Sequence, residues 1–186
     1  MIIRDGLQIE TPRLLLRLPQ LEDLDPWAEM MADAEATRFI GGATPRSVTW
    51  LGLMTVIGAW HATGFAMFSV CEQSTGRWVG RLGPWMPEGW PGTEVGWAIV
   101  RDCWGKGYAT EGAAVATDWA FDHLGWESVI HGIDPANIAS QAVARKLGSR
   151  NLGPGVLPPP HHESRVDLWG QSRDEWRARR RSKGSE

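Results

Sequence analysis

Residues 101–112, RDCWGKGYATEG, place Gly105 and Gly107 on either side of Lys106, just before a segment with helical character. Glycine permits a tight turn, and the N-terminus of a helix aims free backbone N–H groups along the positive end of its dipole. This pattern is typical of a turn that binds phosphate, and Lys106 can add a point charge. A strand-to-helix turn without a ligand remains the alternative.

Two common nucleotide-binding motifs do not fit this turn. The Rossmann fingerprint requires a third glycine at the position of Thr110. A P-loop requires an earlier glycine at the position of Val100. The turn therefore keeps only the feature that both motifs share, which is a glycine-permitted bend at a helix N-terminus.

Composition narrows the class of protein. The 186 residues carry a formal net charge of −3, which gives no electrostatic reason to expect nucleic acid or an anionic membrane as the main partner. The N-terminal segment MIIRDGLQIE lacks the apolar run of a signal peptide, and no apolar stretch reaches the roughly 18 residues of a membrane span. Cys71 and Cys103 match no metal spacing. We expect a cytoplasmic protein with free thiols.

Hydrophobic periodicity predicts alternating strands and helices. Strands are predicted at 13–18, in a hairpin from Phe65 through RWVGRLG, and at 93–100, 128–133 and 165–170. Helices are predicted from Asp25, at 48–60, at 109–124 and from Asn137 to a Gly148 cap, while 84–92 and 153–164 are predicted loops. This order predicts a mixed sheet with helices on both faces, in one domain over 1–176 with a charged, mobile tail at 177–186.

Four segments in order resemble the GNAT superfamily of N-acetyltransferases, and its ribosomal-protein N-terminal acetyltransferase branch in particular. They are ETPRLLLRL, TEVGWAIVRDCWGKGYATEG, DPANIASQAVARKLG and VDLWGQSRDEW. The resemblance extends over residues 10–176. It implies an α/β (α+β) fold with a mostly antiparallel sheet of six or seven strands, helices on both faces and a splayed fourth and fifth strand pair.

The resemblance also implies acetyl-CoA as cosubstrate and no metal. The pyrophosphate of acetyl-CoA would lie on the turn after the fourth strand, which is formed by Trp104, Gly105, Lys106, Gly107, Tyr108, Ala109 and Thr110. The superfamily usually has Gln or Arg where Trp104 stands. Packing is the alternative role for Tyr108.

The pantetheine arm of the coenzyme would pair with the free edge at Ile99 and Val100. The family motif N-x-x-S would place Asn137 beside this arm, although a plain helix N-cap is its alternative role. Lys146 would lie near the adenosine phosphate, or it would only complement the end of its helix.

Acetyl transfer from a thioester to an amine requires a base for the amine, a donor for the oxyanion and a proton for the leaving thiolate. The resemblance assigns the base to Glu94 and the acid to Ser140, with a backbone N–H near Ile99 or Val100 as oxyanion donor. The alternatives are a solvent-facing strand carboxylate for Glu94 and a simple first-turn residue for Ser140. The tyrosine that many relatives carry on this helix is absent.

Other chemistry-bearing residues fit less well. Cys103 has no histidine at a suggestive spacing, and the family transfers acetyl directly, so an acyl-cysteine intermediate is not expected. His161, His162 and Glu163 lie together in a predicted loop without supporting ligands, so no metal site is expected. The RARRR run at 177–181 is expected to be a solvated helix end.

The sequence therefore predicts an acetyltransferase that acts on a primary amine. The acceptor is a protein or peptide N-terminus, or alternatively a small-molecule amine such as a polyamine, an amino acid or an antibiotic. A non-catalytic acyl-CoA-binding module is the alternative from another class, against which Glu94 and Ser140 argue. A homodimer is left open.

Overall fold

The computed structural model describes residues 6–183. The strands are β1 (Gln8–Glu10), β2 (Leu14–Arg17), β3 (Phe68–Glu72), β4 (Trp78–Trp85), β5 (Glu94–Ile99), β6 (Ser128–Ile133), β7 (Arg150–Gly155) and β8 (Val166–Ser172). The helices are α1 (Leu24–Ala32), α2 (Ala34–Thr37), α3 (Arg46–Thr63), α4 (Tyr108–His123), α5 (Ile138–Leu147) and α6 (Arg173–Lys183). Two 3₁₀ turns, Leu21–Asp23 and Arg101–Cys103, precede α1 and α4.

The strands form one mixed sheet in the order β1-β2-β3-β4-β5-β6-β8-β7. All neighbours are antiparallel except β5 and β6, which are parallel. The predicted fold class, a mostly antiparallel sheet with helices and a splayed central pair, is confirmed.

The sheet has more strands than the six or seven expected. β1 is three residues long, too short for its alternation to be read. β7 has the sequence RNLGPG, and its glycines and proline led to the wrong prediction of a loop from residue 153. Proline is tolerated on an edge strand because its missing N–H faces away from the ladder, and β7 is an edge strand.

The basic C-terminal segment is helical in the part that is described. The mobile tail was predicted to begin at 177, but α6 runs through Lys183, and residues 184–186 lie outside the described range. Trp176 Nε1 donates to Asp118 Oδ1 at 2.6 Å, and Arg180 and Arg177 pair with Asp118 and Asp122 of α4. The arginine run therefore packs along an acidic face of α4.

The two faces of the sheet carry different helices. On one face, Trp27 of α1 stacks on Trp78 of β4 with ring centroids 6.0 Å apart; we call this the α1 face. On the other, Gly112 of α4 lies directly over Leu82; this is the α4 face, on which α5 also packs against α4. Trp78 and Leu82 point to opposite faces although they are four residues apart, because the register of β4 with β3 shifts between Trp78 and Gly80. Leu82 pairs with Trp97 of β5, so Trp97 and Val95 lie on the α4 face, whereas the alternating residues Glu94 and Gly96 lie on the α1 face.

The close approach of α4 to β4 generates a stability prediction. A Cβ at Gly112 would lie 2.5 Å from Leu82 Cδ2, and Leu82 is completely buried. Gly112→Ala should therefore lower the free energy of unfolding, because overpacking costs about 1–3 kcal/mol and outweighs the gain in helix propensity. The matched control is Gly58→Ala in α3, where a Cβ meets nothing within 4 Å. It should raise the free energy of unfolding by about 1 kcal/mol; equal effects in urea titrations would contradict the packing argument.

Candidate active site

The parallel strands β5 and β6 separate soon after they meet. A single register pair, Glu94 with Ile130, joins them among residues 6–183. Next to it, Ile130 N donates to Thr93 O at 2.9 Å. Beyond this point a gap opens between the two strands at the centre of the sheet.

The backbone of β5 faces this gap at alternate residues. Val100 N donates to Val79 O at 3.0 Å, so Val100 uses its N–H in the ladder with β4. In an antiparallel pair the neighbouring residues point the other way, so Trp97 and Ile99 direct their backbone groups into the gap. Of the two residues predicted to present a free edge, only Ile99 does so. Its carbonyl accepts a bond from Trp104 Nε1 at 2.7 Å.

Glu94 lies at the point where the strands part. Glu94 is only 8% exposed. Its carboxylate accepts hydrogen bonds from Trp90 Nε1 at 2.5 Å and from Gly132 N at 3.1 Å. A Cβ at Gly96 would lie 3.4 Å from Glu94 Oε1, and one at Gly132 would lie 3.8 Å from both carboxylate oxygens. Glu94 is therefore a buried, held carboxylate rather than a solvent-facing strand residue.

Burial gives this carboxylate an unusual acidity. Desolvation raises the pKa of Glu94 to about 7, while the bonds from Trp90 and Gly132 and the charge of Arg81 act in the opposite direction. A carboxylate has about four acceptor positions, and the two protein donors leave room for a water or an amine. A group with a pKa near the working pH is suited to general-base catalysis.

A buried histidine lines the far side of the gap. His131 Nδ1 lies 2.7 Å from Val95 O, and because a carbonyl only accepts, Nδ1 carries the proton. Nε2 therefore accepts from Ser149 Oγ at 3.0 Å, and Ser149 Oγ in turn accepts from Gln171 Nε2 at 2.9 Å. Burial lowers the pKa of His131 to about 4. The ring therefore stays neutral. Its Nδ1–H takes the place of the backbone donor on β6 that the Val95 carbonyl lacks where the strands separate.

Ser140 and Asn137 sit at the start of α5, as predicted. Asn137 Oδ1 accepts from Ser140 N at 3.0 Å, so its side chain caps the helix. Ser140 Oγ accepts from Trp97 Nε1 at 3.2 Å. Because the indole can only donate, the hydroxyl proton of Ser140 is free to be given to another group.

The predicted phosphate-binding turn has the expected backbone form. Gly105 and Gly107 adopt φ of 76° and 85°, values that glycine tolerates and other residues rarely adopt. Gly107 is the N-cap of α4, no side chain caps that end, and the helix ladder begins with Glu111 N to Gly107 O. The N–H groups of the first turn, including those of Ala109 and Thr110, are therefore free of intrahelical partners.

Side chains outside the turn hold it in place. Glu111 accepts from Thr11 Oγ1 at 2.6 Å and from Arg13 Nε at 2.7 Å, and Arg13 Nη1 donates to Lys106 O at 2.8 Å. Tyr108 is buried, and its hydroxyl donates to Glu72 Oε1 at 2.5 Å. Tyr108 is therefore packed within the protein, and a contact between Tyr108 and phosphate stays a prediction.

The remaining candidates lie at the margins. Lys106 and Lys146 are exposed, and Lys106 Nζ approaches Cys103 Sγ at 3.7 Å. Burial raises the pKa of the Cys103 thiol, which disfavours the reactive thiolate. His161 and His162 are exposed in a loop, and no group of three or more metal-ligating side chains is found within residues 6–183. No helix in that range is long and apolar enough to span a membrane.

The hydrogen bonds that Trp90, Trp97 and His131 make at the gap were not predicted from the sequence. A lone histidine within an apolar strand and tryptophans within a tryptophan-rich chain carry no local signal. Their roles depend on which strands become neighbours. The acidic partner of Trp90 lies only four positions away, but the loop between them determines whether the two meet.

Comparisons with known proteins identify the family. The profile of the family described as acetyltransferase (GNAT) domain matches residues 13–150. The chain is 27% identical over 146 residues to the N-acetyltransferase p20 of Bacillus licheniformis, covering 77% of this chain and 82% of that protein. Its match with another curated Bacillus relative spans 51% of that protein's length.

Solved structures show the same fold. An acetyltransferase from Agrobacterium tumefaciens aligns with a TM-score of 0.77 at 26% identity, over 89% of this chain and 94% of that one. The ribosomal-protein-S5-alanine acetyltransferase of Vibrio fischeri aligns with a TM-score of 0.71 at 18% identity, over 92% and 99%. Since the family profile covers most of the chain, including the gap, the turn before α4 and the start of α5, the chain belongs to the GNAT family of acetyltransferases.

Proposed function

We propose that the protein transfers the acetyl group of acetyl-CoA directly to a primary amine, with Glu94 as general base and Ser140 as general acid. The observation that carries this proposal is the buried Glu94 carboxylate at the mouth of the gap between β5 and β6. Its pKa of about 7 allows it to be deprotonated at neutral pH and still basic enough to accept a proton.

The gap and the turn would hold acetyl-CoA from the α4 face. Gly105, Gly107 and the free N–H groups at the start of α4 suit the pyrophosphate, and Lys106 is near enough to add charge. The pantetheine arm would fill the gap as an added strand against the backbone of Trp97 and the N–H of Ile99, whose carbonyl already accepts from Trp104. The Asn137 amide nitrogen, which has no partner among residues 6–183, is available for the arm.

The reaction would cross the gap without a covalent enzyme intermediate. Glu94 removes a proton from the ammonium, through a water or directly, and the free amine attacks the thioester carbonyl. The backbone N–H of Trp97 or Ile99 stabilises the oxyanion. As the tetrahedral intermediate collapses, the carbon–sulfur bond breaks and Ser140 gives its proton to the thiolate. The attacking nitrogen loses its second proton to water, and water returns a proton to Ser140, which leaves a neutral amide and a free thiol. The proton taken up by Glu94 is released to solvent.

A peptide or protein N-terminus is the acceptor that a lone carboxylate base suits best. An α-amino group has a pKa of about 8, whereas a lysine-like amine has one of about 10.4 and must lose its proton at greater cost. The fold that the chain shares with a ribosomal-protein acetyltransferase agrees with this choice. A small-molecule amine with a lowered pKa is the alternative.

The phosphate-binding turn is tested by Gly107→Gln. Because Gly107 has φ of 85°, a side chain there strains the turn and withdraws N–H groups from the pyrophosphate. Coenzyme A affinity measured by calorimetry should fall by about 10-fold or more. Gly125→Gln is the control, since Gly125 has φ of 67° and a Cβ there meets nothing within 4 Å. If both variants bind coenzyme A as the wild type does, the assignment of the turn fails.

The base is tested by Glu94→Gln. Glu94 acts in its deprotonated form, which predominates above its pKa of about 7, so wild-type kcat/KM should rise as pH passes through that value. The variant should lose about 100-fold or more just above neutral pH. The loss should shrink at higher pH as more of the amine is already unprotonated. A loss that is uniform from pH 6 to 10 would indicate a structural role instead.

The acid is tested by Ser140→Ala. The rate of the chemical step in single-turnover experiments should fall by about 10- to 100-fold, at the low end of general-acid effects, with little change in the dissociation constant of coenzyme A. Ser47→Ala in the exposed first turn of α3 controls for the same change in another helix. A wild-type single-turnover rate in Ser140→Ala would leave solvent as the proton source.

A further inference from the structure

One arginine on the α1 face has no carboxylate hydrogen-bonded to it within residues 6–183, although its charge acts on Glu94. Arg81 of β4 lies between Ser69 of β3 and Ala98 of β5 in the register of the sheet. Its Nε is buried without a hydrogen-bond partner, and its Nη1 contacts only the sulfur of Met67, a weak acceptor. No partner of Nη2 is found within residues 6–183, and Nη2 is not fully buried.

A second arginine on the same face shows what is missing. Arg17 pairs with Ser69 in register from the other side of β3. Its two terminal nitrogens donate to Asp23 at 2.8 and 2.5 Å. A guanidinium has a planar fork that matches a carboxylate in this way. Arg81 presents the same fork, and no carboxylate of the described residues accepts a hydrogen bond from it.

The free guanidinium lies in the same cleft as the proposed base. A Cβ at Gly96 would lie 3.1 Å from Met67 Cε and 3.4 Å from Glu94 Oε1, so the Met67 side chain that contacts Arg81 and the carboxylate of the base both lie beside Gly96. Glu94 leans along β5 to Gly96, which is two residues from Ala98, the partner of Arg81. At about 3.3 Å per residue, two residues correspond to roughly 7 Å along the strand.

The surroundings hold Arg81 in this position. The guanidinium carbon lies 5.3 Å from the centroid of the Trp27 ring, a cation–π arrangement. Trp27 and Met67 are both buried. These apolar neighbours fix the side chain but leave its donors unpaired.

We propose that Arg81 binds a carboxylate of the acceptor, so that the substrate is a primary amine carrying a carboxylate a few bonds from its nitrogen. The inference rests on the proposed function, because it requires the amine to sit at Glu94. Free small aminocarboxylates and peptide N-termini with an acidic side chain share this chemistry. The carboxylate completes the fork of Arg81 while the amine faces the base.

The fixed charge also disfavours one class of acceptor. A polyamine would bring a second cation towards Arg81, and like charges in a poorly solvated cleft repel strongly. A zwitterionic acceptor instead places opposite charges at Glu94 and Arg81. The cleft thus discriminates against polyamines and in favour of aminocarboxylates.

The test compares acceptor pairs that differ only in this group. With acetyl-CoA and wild-type protein, thiol release is measured with 4-aminobutyrate and 6-aminohexanoate beside their carboxamides, and with peptides beginning Ser-Asp beside Ser-Asn. The carboxylate in at least one pair should raise kcat/KM by about 10- to 100-fold, the gain expected for hydrogen bonds between charged groups. The pair that responds identifies the source. Equal rates within every pair would overturn the inference.

Variants assign the preference to Arg81. Arg81→Gln should abolish the difference within the responding pair and keep the affinity for coenzyme A. Arg177→Gln is the control, because it breaks only an exposed ion pair between Arg177 of α6 and Asp122 of α4. It should keep the difference in kcat/KM within the responding pair. If Arg81→Gln fails to bind coenzyme A, Arg81→Lys replaces it, and the loss of the planar fork should reduce the preference. A preference that survives in the Arg81 variant would also overturn the inference.

The outcomes separate the inference from the proposed function. Thiol release with carboxamides and carboxylates at equal rates would keep the acetyltransferase proposal and reject the role of Arg81. No thiol release with any amine, in a protein that binds acetyl-CoA, would reject both. Preference for a diamine such as putrescine over every aminocarboxylate would reject the role of Arg81 alone.

Discussion

The separation of β5 from β6 is the constraint on which the site depends. Two parallel strands that part in the middle of a sheet leave backbone groups without ladder partners, and burying such groups unpaired is costly. Two side chains resolve this cost. The Glu94 carboxylate accepts from Gly132 N, and His131 donates to Val95 O. The gap is thus stabilised by the side chains that border it and remains open for a ligand.

Stability and chemistry are coupled at the same residues. The bonds that hold Glu94 tend to keep it ionised, while its burial opposes this, and the balance brings its pKa to about 7. The neutral ring of His131 gives the gap a polar wall without a second charge. His131 also contacts Trp97 with ring centroids 4.9 Å apart, and Trp97 donates to Ser140. A packed chain of side chains therefore connects the strand that opens the gap to the helix that borders it.

Local features were predicted well from the sequence, and long-range ones were not. The N-cap at Asn137 and the left-handed cap at Gly148 were predicted because each is decided by neighbouring residues. The turn at Gly105 and Gly107 was found for the same reason. β7 was missed because its glycines and proline are typical of loops, and only its pairing with β8 makes it a strand. Nothing within RWVGRLG distinguishes Arg81, since its apolar neighbours are Trp27 of α1 and Met67, which directly precedes β3.

The two faces of the sheet have a kinetic consequence. The turn and α5 lie on the α4 face, whereas Glu94 and Arg81 lie on the α1 face, so the sheet acts as a partition with one opening. Under the proposed function, acetyl-CoA would approach from one face and the amine from the other, so that neither blocks the path of the other. The thiol product and the acylated amine would then leave by separate routes in either order. Such a partition favours a ternary complex over a ping-pong cycle. When both substrates can be bound together, the acetyl group need not be attached to the protein while coenzyme A leaves and the amine enters.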